Sequence, residues 1–506
     1  MTASTLGDAP GEAIYTEPKP SPGVVANSAW MMLAQAVAAL IGGGVAIYAV
    51  RSFTTSSWGH YSTALALVSL FTIFSGAGLA PLTLREITAD QQRQADILGA
   101  TLRALVWTFS VAVAALLATA ALLGYPSEVL LLVLLLAPSL FLDPALANLA
   151  AAFNARSRLF YIALVQIAQS VVYGILAVAV IALSFSVKGL AVSTVTASLC
   201  ATAVAVVLVR TKLGFRPRLR QEGRRVWTFV RAAVPVAGIN LVAVVYAWVD
   251  VVMLSILSTS TKVAFYAVPY SLVRLSWLLP SVVSAAFFPL LSRTLERDRS
   301  EAEYLFFLVV RVFLLVSVPI SLVLALSSPT LLPFVFGHSY SHSVPVLQIM
   351  AWTSVFGFQN YVLWYGVLAA RRERAVFGIQ LAGLILNVAI NAAATPLYGP
   401  SGAATALVVS DLVVVVGQVI LIHRTLFHVP VVELLKKPAA ATVLVVPVAV
   451  AAATWSAAGG AAVGAVGYTL VLLCLRYVTP AEWTPVTAIV RAPFARLRRG
   501  VQPLTP

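Results

Sequence analysis

Residues 235–293 read PVAGINLVAVVYAWVDVVMLSILSTSTKVAFYAVPYSLVRLSWLLPSVVSAAFFPLLSR. Two apolar runs are joined by a short polar turn over 258–262, and each run reaches the ~20 residues that an α-helix needs to cross a bilayer core. Each carries one charge near mid-depth, Asp250 in the first and Arg274 in the second. A charge at the bilayer centre costs about 3 kcal/mol or more, so it is tolerated chiefly where it faces a wet cavity or a partner. The stretch predicts a transmembrane hairpin with polar work to do inside it.

The rest of the chain repeats the pattern. With 60% hydrophobic and 10% charged residues and a mean hydropathy of +0.95, it reads as an all-α polytopic membrane protein. The runs lack the polar–apolar alternation of a transmembrane barrel. Fourteen spans are expected, at 24–50, 61–82, 98–123, 128–150, 160–183, 187–209, 227–257, 263–290, 305–327, 344–370, 375–396, 401–422, 439–456 and 459–475. Residues 1–23, polar and rich in Pro and Gly, read as a disordered tail. Cys200 and Cys474 both lie inside apolar runs, which argues against a disulfide framework or a metal cluster.

The net charge of +15 does not point to nucleic acid, because its placement follows the spans. With a cytoplasmic N-terminus, cytoplasmic segments collect 26 of the 33 Lys and Arg, and the outer loops hold only Arg51, Lys188 and Lys262. The positive-inside rule then puts both termini in the cytoplasm of a cell-membrane protein. The arginine-dense segment RTKLGFRPRLRQEGRR, 210–225, is either a topology anchor or a docking surface for anionic lipid headgroups.

Span two matches span eight through Tyr61, Leu67, Val68 and Leu70 against Tyr266, Leu272, Val273 and Leu275, at a constant offset. Gly189, Ala191, Val195 and Leu199 of span six match Gly402, Ala404, Val408 and Leu412 of span twelve in the same way. Two such matches predict a duplication of six-helix units related by an axis along the membrane normal. The expected organisation is a lobe over 24–209, a cytoplasmic linker over 210–226, a second lobe over 227–425, two extra helices over 439–475 and a tail over 476–506.

Several polar residues lie within the spans. Arg274 is either a site residue at mid-membrane or the structural partner of Asp250 across the hairpin. Arg311 sits closer to the cytoplasmic face. Asp411, also near mid-depth, either takes part in coupling or satisfies a neighbouring helix. Asn387 and Asn391, four apart, share a helix face, as do Gln166 and Ser170; each pair faces a cavity or bonds another helix. Asp143, followed by Pro144, marks a helix bend, and His338 and His342 fall in an outer loop. The Gly42–Gly44 triplet permits bending or close approach. No G-x-x-x-x-G-K-[ST] loop is present, which argues against ATP-driven transport by this chain. The longest outer loop, 328–343, is short for a membrane glycosyltransferase or polymerase, so no enzyme and no cofactor is expected.

The motifs GHYSTALALVSLF, GLAPLTLREI, VDVVMLSIL, FYAVPYSLVRL, AAFFPLLSR, LLPFVFGHSY and LNVAINAAATPLYGPSGAATA resemble, in their order and spacing over 24–425, the polysaccharide-exporter and O-antigen flippase family of the multidrug/oligosaccharidyl-lipid/polysaccharide superfamily. The resemblance implies a MATE-like bundle of two lobes around a central cavity. It also implies export of a polyprenyl-diphosphate-linked oligosaccharide without ATP hydrolysis. Arg274 matches an important arginine of the related lipid II flippases, but the chain has no basic residue in the membrane core of spans one and two. On this reading Arg274, Arg311, Asn387 and Asn391 meet substrate, and Asp250 and Asp411 serve coupling or gating. The expected partners are the lipid-linked glycan, membrane lipids and glycan-assembly enzymes. The alternatives are a multidrug cation antiporter, which would prefer acids in its first lobe, and a non-transporting scaffold.

Overall fold

The computed structural model describes residues 22–76, 78–218, 223–370, 372–479 and 482. Among these residues every regular element is a helix. The first lobe comprises α1 (Pro22–Ser52), α2 (Thr55–Gly76), α3 (Leu79–Ala89), α4 (Gln94–Leu122), α5 (Ser127–Leu136), α6 (Ser139–Asn154), α7 (Leu159–Ala182) and α8 (Lys188–Leu208). The second contains α9 (Gly223–Leu257), α10 (Ser260–Ser276), α11 (Leu278–Arg297), α12 (Arg299–Phe336), α13 (Val344–Met350), α14 (Thr353–Ala369), α15 (Glu373–Tyr398) and α16 (Pro400–Thr425). The last two helices, α17 (Val431–Trp455) and α18 (Ala457–Cys474), pack on α12 through Ala441, Val445, Tyr468 and Leu472 against Leu308, Leu315 and Leu322.

Twelve helical segments among the described residues are long and apolar enough to cross a membrane. The other two expected spans correspond to α9, whose described apolar part is Leu241–Leu257, and to the interrupted pair α13–α14. The disordered tail expected over 1–23 lies almost wholly outside the described residues, as does most of 476–506. The segment expected as a linker begins with a π-helical turn, Val209–Leu213, closed by Gly214 at φ +75°.

The second and fourth spans are each broken at mid-course (α2/α3 and α5/α6), and so are the eighth and tenth (α10/α11 and α13/α14). Three of the four have a local cause. Gly76 and Gly78 flank the first. Pro138 precedes α6. Pro280, just inside α11, has no N–H to bond back toward Ser276. Breaks free carbonyls, and in lipid these need partners. Hydroxyls supply several: Thr108 donates to the Ser75 carbonyl, Ser139 to that of Leu136 at 2.7 Å, and Ser321 to that of Ala351 at 2.6 Å.

The lobes meet at two levels. At the end where α2 and α10 begin, termed outer from the charge distribution, Ser56 and Ser260 hydroxyls lie 2.9 Å apart. Gly59 is so close to α10 that a Cβ there would fall 1.8 Å from the Ser260 carbonyl oxygen. Tyr125 and Ser255 add a second bridge at 2.7 Å. At the break between α2 and α3 a Cβ on Gly78 would fall 2.2 Å from the Ala233 carbonyl oxygen of α9, and the Arg218 N–H of the segment between the lobes donates to Ala95 O at 2.9 Å.

Candidate functional site

A buried polar chain runs through the second lobe where α9, α10, α15 and α16 converge. Asp250 on α9 is 3% exposed. Its Oδ2 accepts from the Tyr266 hydroxyl at 2.8 Å and its Oδ1 from Asn391 Nδ2 at 2.7 Å. Asn391 in turn leans on Asn387, four residues back on α15, and accepts from Thr395 at 3.0 Å. Asn387 Nδ2 reaches Ser410 Oγ at 3.2 Å. Beside Ser410, Asp411 Oδ1 accepts from Tyr246 OH at 2.7 Å.

The helical period places these groups in register: Asn387, Asn391 and Thr395 form one stripe on α15, and Tyr246 and Asp250 lie one turn apart on α9. Burying a carboxylate is costly unless donors compensate, and Asp250 has two. Asp411 has one, and its Oδ2 is buried with no hydrogen-bond partner among the described residues. An unsatisfied buried oxygen of this kind calls for an explanation; a proton or a bound cation would satisfy it.

Arg274 stands apart from this chain. The α9–α10 hairpin turns near 258–259, which sets Asp250 opposite Tyr266 and not opposite Arg274. Arg274 lies eight residues, about 12 Å of helix, further from the outer end. The structural pair with Asp250 therefore does not form, because the hairpin register separates their depths. Arg274 is instead exposed, with its guanidinium carbon 5.4 Å from the Trp248 ring centre and 5.7 Å from that of Tyr270. No described carboxylate forms an ion pair with it. It occupies the last turn of α10, next to the break before α11.

The other residues singled out by sequence fall in different places. Arg311 on α12 does not present a free head: Nη2 pairs with Glu482 and Nη1 donates to the Tyr477 carbonyl at 3.2 Å, tying α12 to the chain after α18. Asn387 and Asn391 are both fully buried, so their amides work inside the Asp250 chain. Asp143 accepts from Ser198 at 2.8 Å, in the first lobe. The Ser170 hydroxyl bonds back to the Gln166 carbonyl. His342 stacks on Phe265 at 5.4 Å, and among the described residues no group of three His, Cys, Asp or Glu could hold a metal.

Sequence reading missed Tyr246, Tyr266, Ser410 and Thr395 as members of the chain, and Trp248 and Tyr270 as the seat of Arg274. The i+4 step from Asn391 to Thr395 and the adjacency of Ser410 to Asp411 were the available signals.

The sequence profile of the polysaccharide biosynthesis protein family matches residues 24–295. Among solved structures, the lipid II flippase MurJ in an inward closed conformation superposes with a TM-score of 0.72 at 12% identity, over 88% of this chain and 98% of that one. A MATE-family multidrug resistance transporter in its inward-facing conformation gives 0.62 at 15% identity, over 80% and 98%. The outward-facing form of a MATE-family transporter gives 0.56 at 14%, over 80% and 96%. These likenesses establish the two-lobed fold. A search of curated protein sequences returns no match.

Proposed function

The chain belongs to the polysaccharide biosynthesis protein family, and from that premise we propose that it is a flippase moving a polyprenyl-diphosphate-linked oligosaccharide from the cytoplasmic to the outer leaflet. The cell membrane is its site, with both termini cytoplasmic and glycan-assembly enzymes as partners. Alternating access of the two lobes carries the headgroup across, and no ATP is consumed by the chain itself.

The observation that carries this reading is Arg274. It is a permanently charged group, near the middle of a broken span, that leans on aromatic faces and on no described carboxylate. A cation–π seat is worth about 0.5–2 kcal/mol, far less than a charge-assisted pair, so the guanidinium is held in place yet available. A diphosphate entering a low-dielectric space needs a countercharge, and the guanidinium fork meets phosphate oxygens with two directed hydrogen bonds. Asp250 and Asp411, joined through Asn391, Asn387 and Ser410, are the groups we assign to coupling by a proton or cation. Buried Asn387 and Asn391 position Asp250; Arg311 holds the tail.

The test is surface display of the glycan in cells, with lipid-linked intermediate quantified inside. Lysine keeps the charge but loses the fork, so Arg274→Lys should lower export several-fold and Arg274→Ala by about tenfold or more, a loss worth roughly 1.4 kcal/mol of binding. Asp250→Asn combined with Arg274→Gln should fold but not export. Export by that double variant would overturn the diphosphate role. The same fold serves multidrug transporters, and the buried acids of the second lobe would also suit a cation antiporter. Drug resistance conferred by the chain, with no change in surface glycan, would favour that reading.

A further inference from the structure

A cavity of about 690 Å³ opens at the outer end of the first lobe, away from the buried acids and from Arg274. Its walls come from the end of α1, the start of α2, α5 and the α7–α8 turn, all within one lobe. It therefore keeps its shape whichever way the two lobes tilt, which separates it from a site made and unmade by alternating access.

The lining is mixed in a particular way. Glu128, whose side chain is 63% exposed, is anchored by His60 Nδ1 at 2.8 Å through one oxygen, leaving acceptor capacity on the carboxylate. Lys188 supplies an ammonium and Tyr48 a hydroxyl, while Phe185 is an exposed aromatic ring. The turn that presents Phe185 closes α7 through Ser184 at φ +58°, with the Phe185 N–H bonding back to the Val180 carbonyl at 3.0 Å, so the ring's position is fixed.

Chemistry narrows the ligand. An apolar chain would offer nothing to the second Glu128 oxygen or to Lys188, and a simple anion would meet the Glu128 carboxylate. A single carboxylate with one histidine does not make a metal site. A pyranose offers hydroxyls to carboxylate, ammonium and phenol, and an apolar C–H face to an aromatic ring. The volume lies within the usual 300–1,000 Å³ of small-molecule sites and admits one or two sugar residues. We propose that this cavity is a carbohydrate subsite that receives sugar residues of the glycan on the outer side. The assignment rests on the flippase reading for its source of sugar, though not on Arg274.

The experiment uses the full chain in lipid nanodiscs and saturation-transfer NMR. The probe is the water-soluble oligosaccharide released by mild acid from the lipid-linked pool of the cells in which the protein acts. Saturation should pass from the protein to sugar protons. The combined Glu128→Gln and Phe185→Ala variant, matched to the parent in thermal midpoint, should weaken the signal about fivefold or more, as loss of one charge-assisted bond and one ring contact implies. Arg274→Ala should leave the signal intact. Absence of transfer in the parent, equal transfer in the double variant, or its loss in Arg274→Ala would each overturn the subsite. Normal export by Arg274→Ala would sink the diphosphate role while leaving this binding result standing.

Discussion

The guanidinium of Arg51, at the end of α1 in the first lobe, donates through Nε to the main-chain carbonyl of Val335, 2.8 Å away near the end of α12 in the second. A second nitrogen reaches the Phe334 carbonyl. These are carbonyls of a helix's last turn, which have no partner within the helix and carry its negative dipole end. A cation from one lobe thus caps a helix of the other, beside the Ser56–Ser260 contact.

Outward opening must break this group of contacts. Ser56→Cys with Ser260→Cys, oxidised to a disulfide, should lower export about tenfold or more, and reductant should restore it, since a bridged pair cannot separate beyond the ~7 Å Cα limit. Export that is unaffected by complete cross-linking would show that the outer ends do not part.

Removing the Asp250 carboxylate should expose its second role. Asp250→Ala leaves the buried Tyr266 hydroxyl without its acceptor and takes from the Asn391 amide the shortest of its bonds, leaving it those to Asn387; an unsatisfied buried group costs about 1–3 kcal/mol. Its thermal midpoint should fall well below that of Asp250→Asn, which keeps an acceptor oxygen. Asp411→Asn should keep stability and lose transport, because Asp411 has only one donor, Tyr246. Full export by both Asn variants would leave membrane potential or the substrate gradient as the driver.

Orientation is open to direct labelling. Cysteines replacing Ser57, Lys262 and Ser341 should react with an impermeant thiol reagent in intact cells, whereas Arg218→Cys should react only after permeabilisation. Reaction of Arg218→Cys in intact cells would reverse the topology inferred from charge.

Glu482 provides a pH test. Burial raises its pKa, but hydrogen bonds from Thr479 and the Arg311 guanidinium outweigh this and hold the carboxyl below its usual range. A depressed carboxyl stabilises the fold above its unfolded pKa, and that stabilisation is lost as pH falls through the folded value. Acidification should therefore loosen the α12–tail contact, read as faster protease cleavage after α18. Glu482→Gln should show this loosening at neutral pH and no further acid step.

Much of the fold was legible because hydropathy reports length along the membrane normal. The duplication seen in Tyr61/Tyr266 has a structural echo in the shared breaks of the second, fourth, eighth and tenth spans. Those breaks were not read from the sequence: Gly76, Gly78, Pro138 and Pro280 are weak signals, and around Ala351–Trp352 no Gly or Pro marks the turn, where the Ser321 hydroxyl meets the Ala351 carbonyl. The site was half legible. A lone charge in an apolar run is conspicuous, so Asp250, Arg274 and Asp411 stood out. Their partners did not, because tyrosine and serine are common in such runs and hairpin register decides which of them meet. Counting Asp250 and Arg274 as near neighbours in depth failed for that reason.

The interruptions in α2/α3 and α10/α11 mean that neither of these two helices can act as a single stiff lever across the membrane. Each is jointed at half height, and the joints divide the outer halves, clasped through Ser56, Gly59 and Ser260, from the inner halves. A jointed strut can bend on one side of its joint while the outer clasp stays shut. On the flippase reading, such joints would let the two sides of the membrane open in turn.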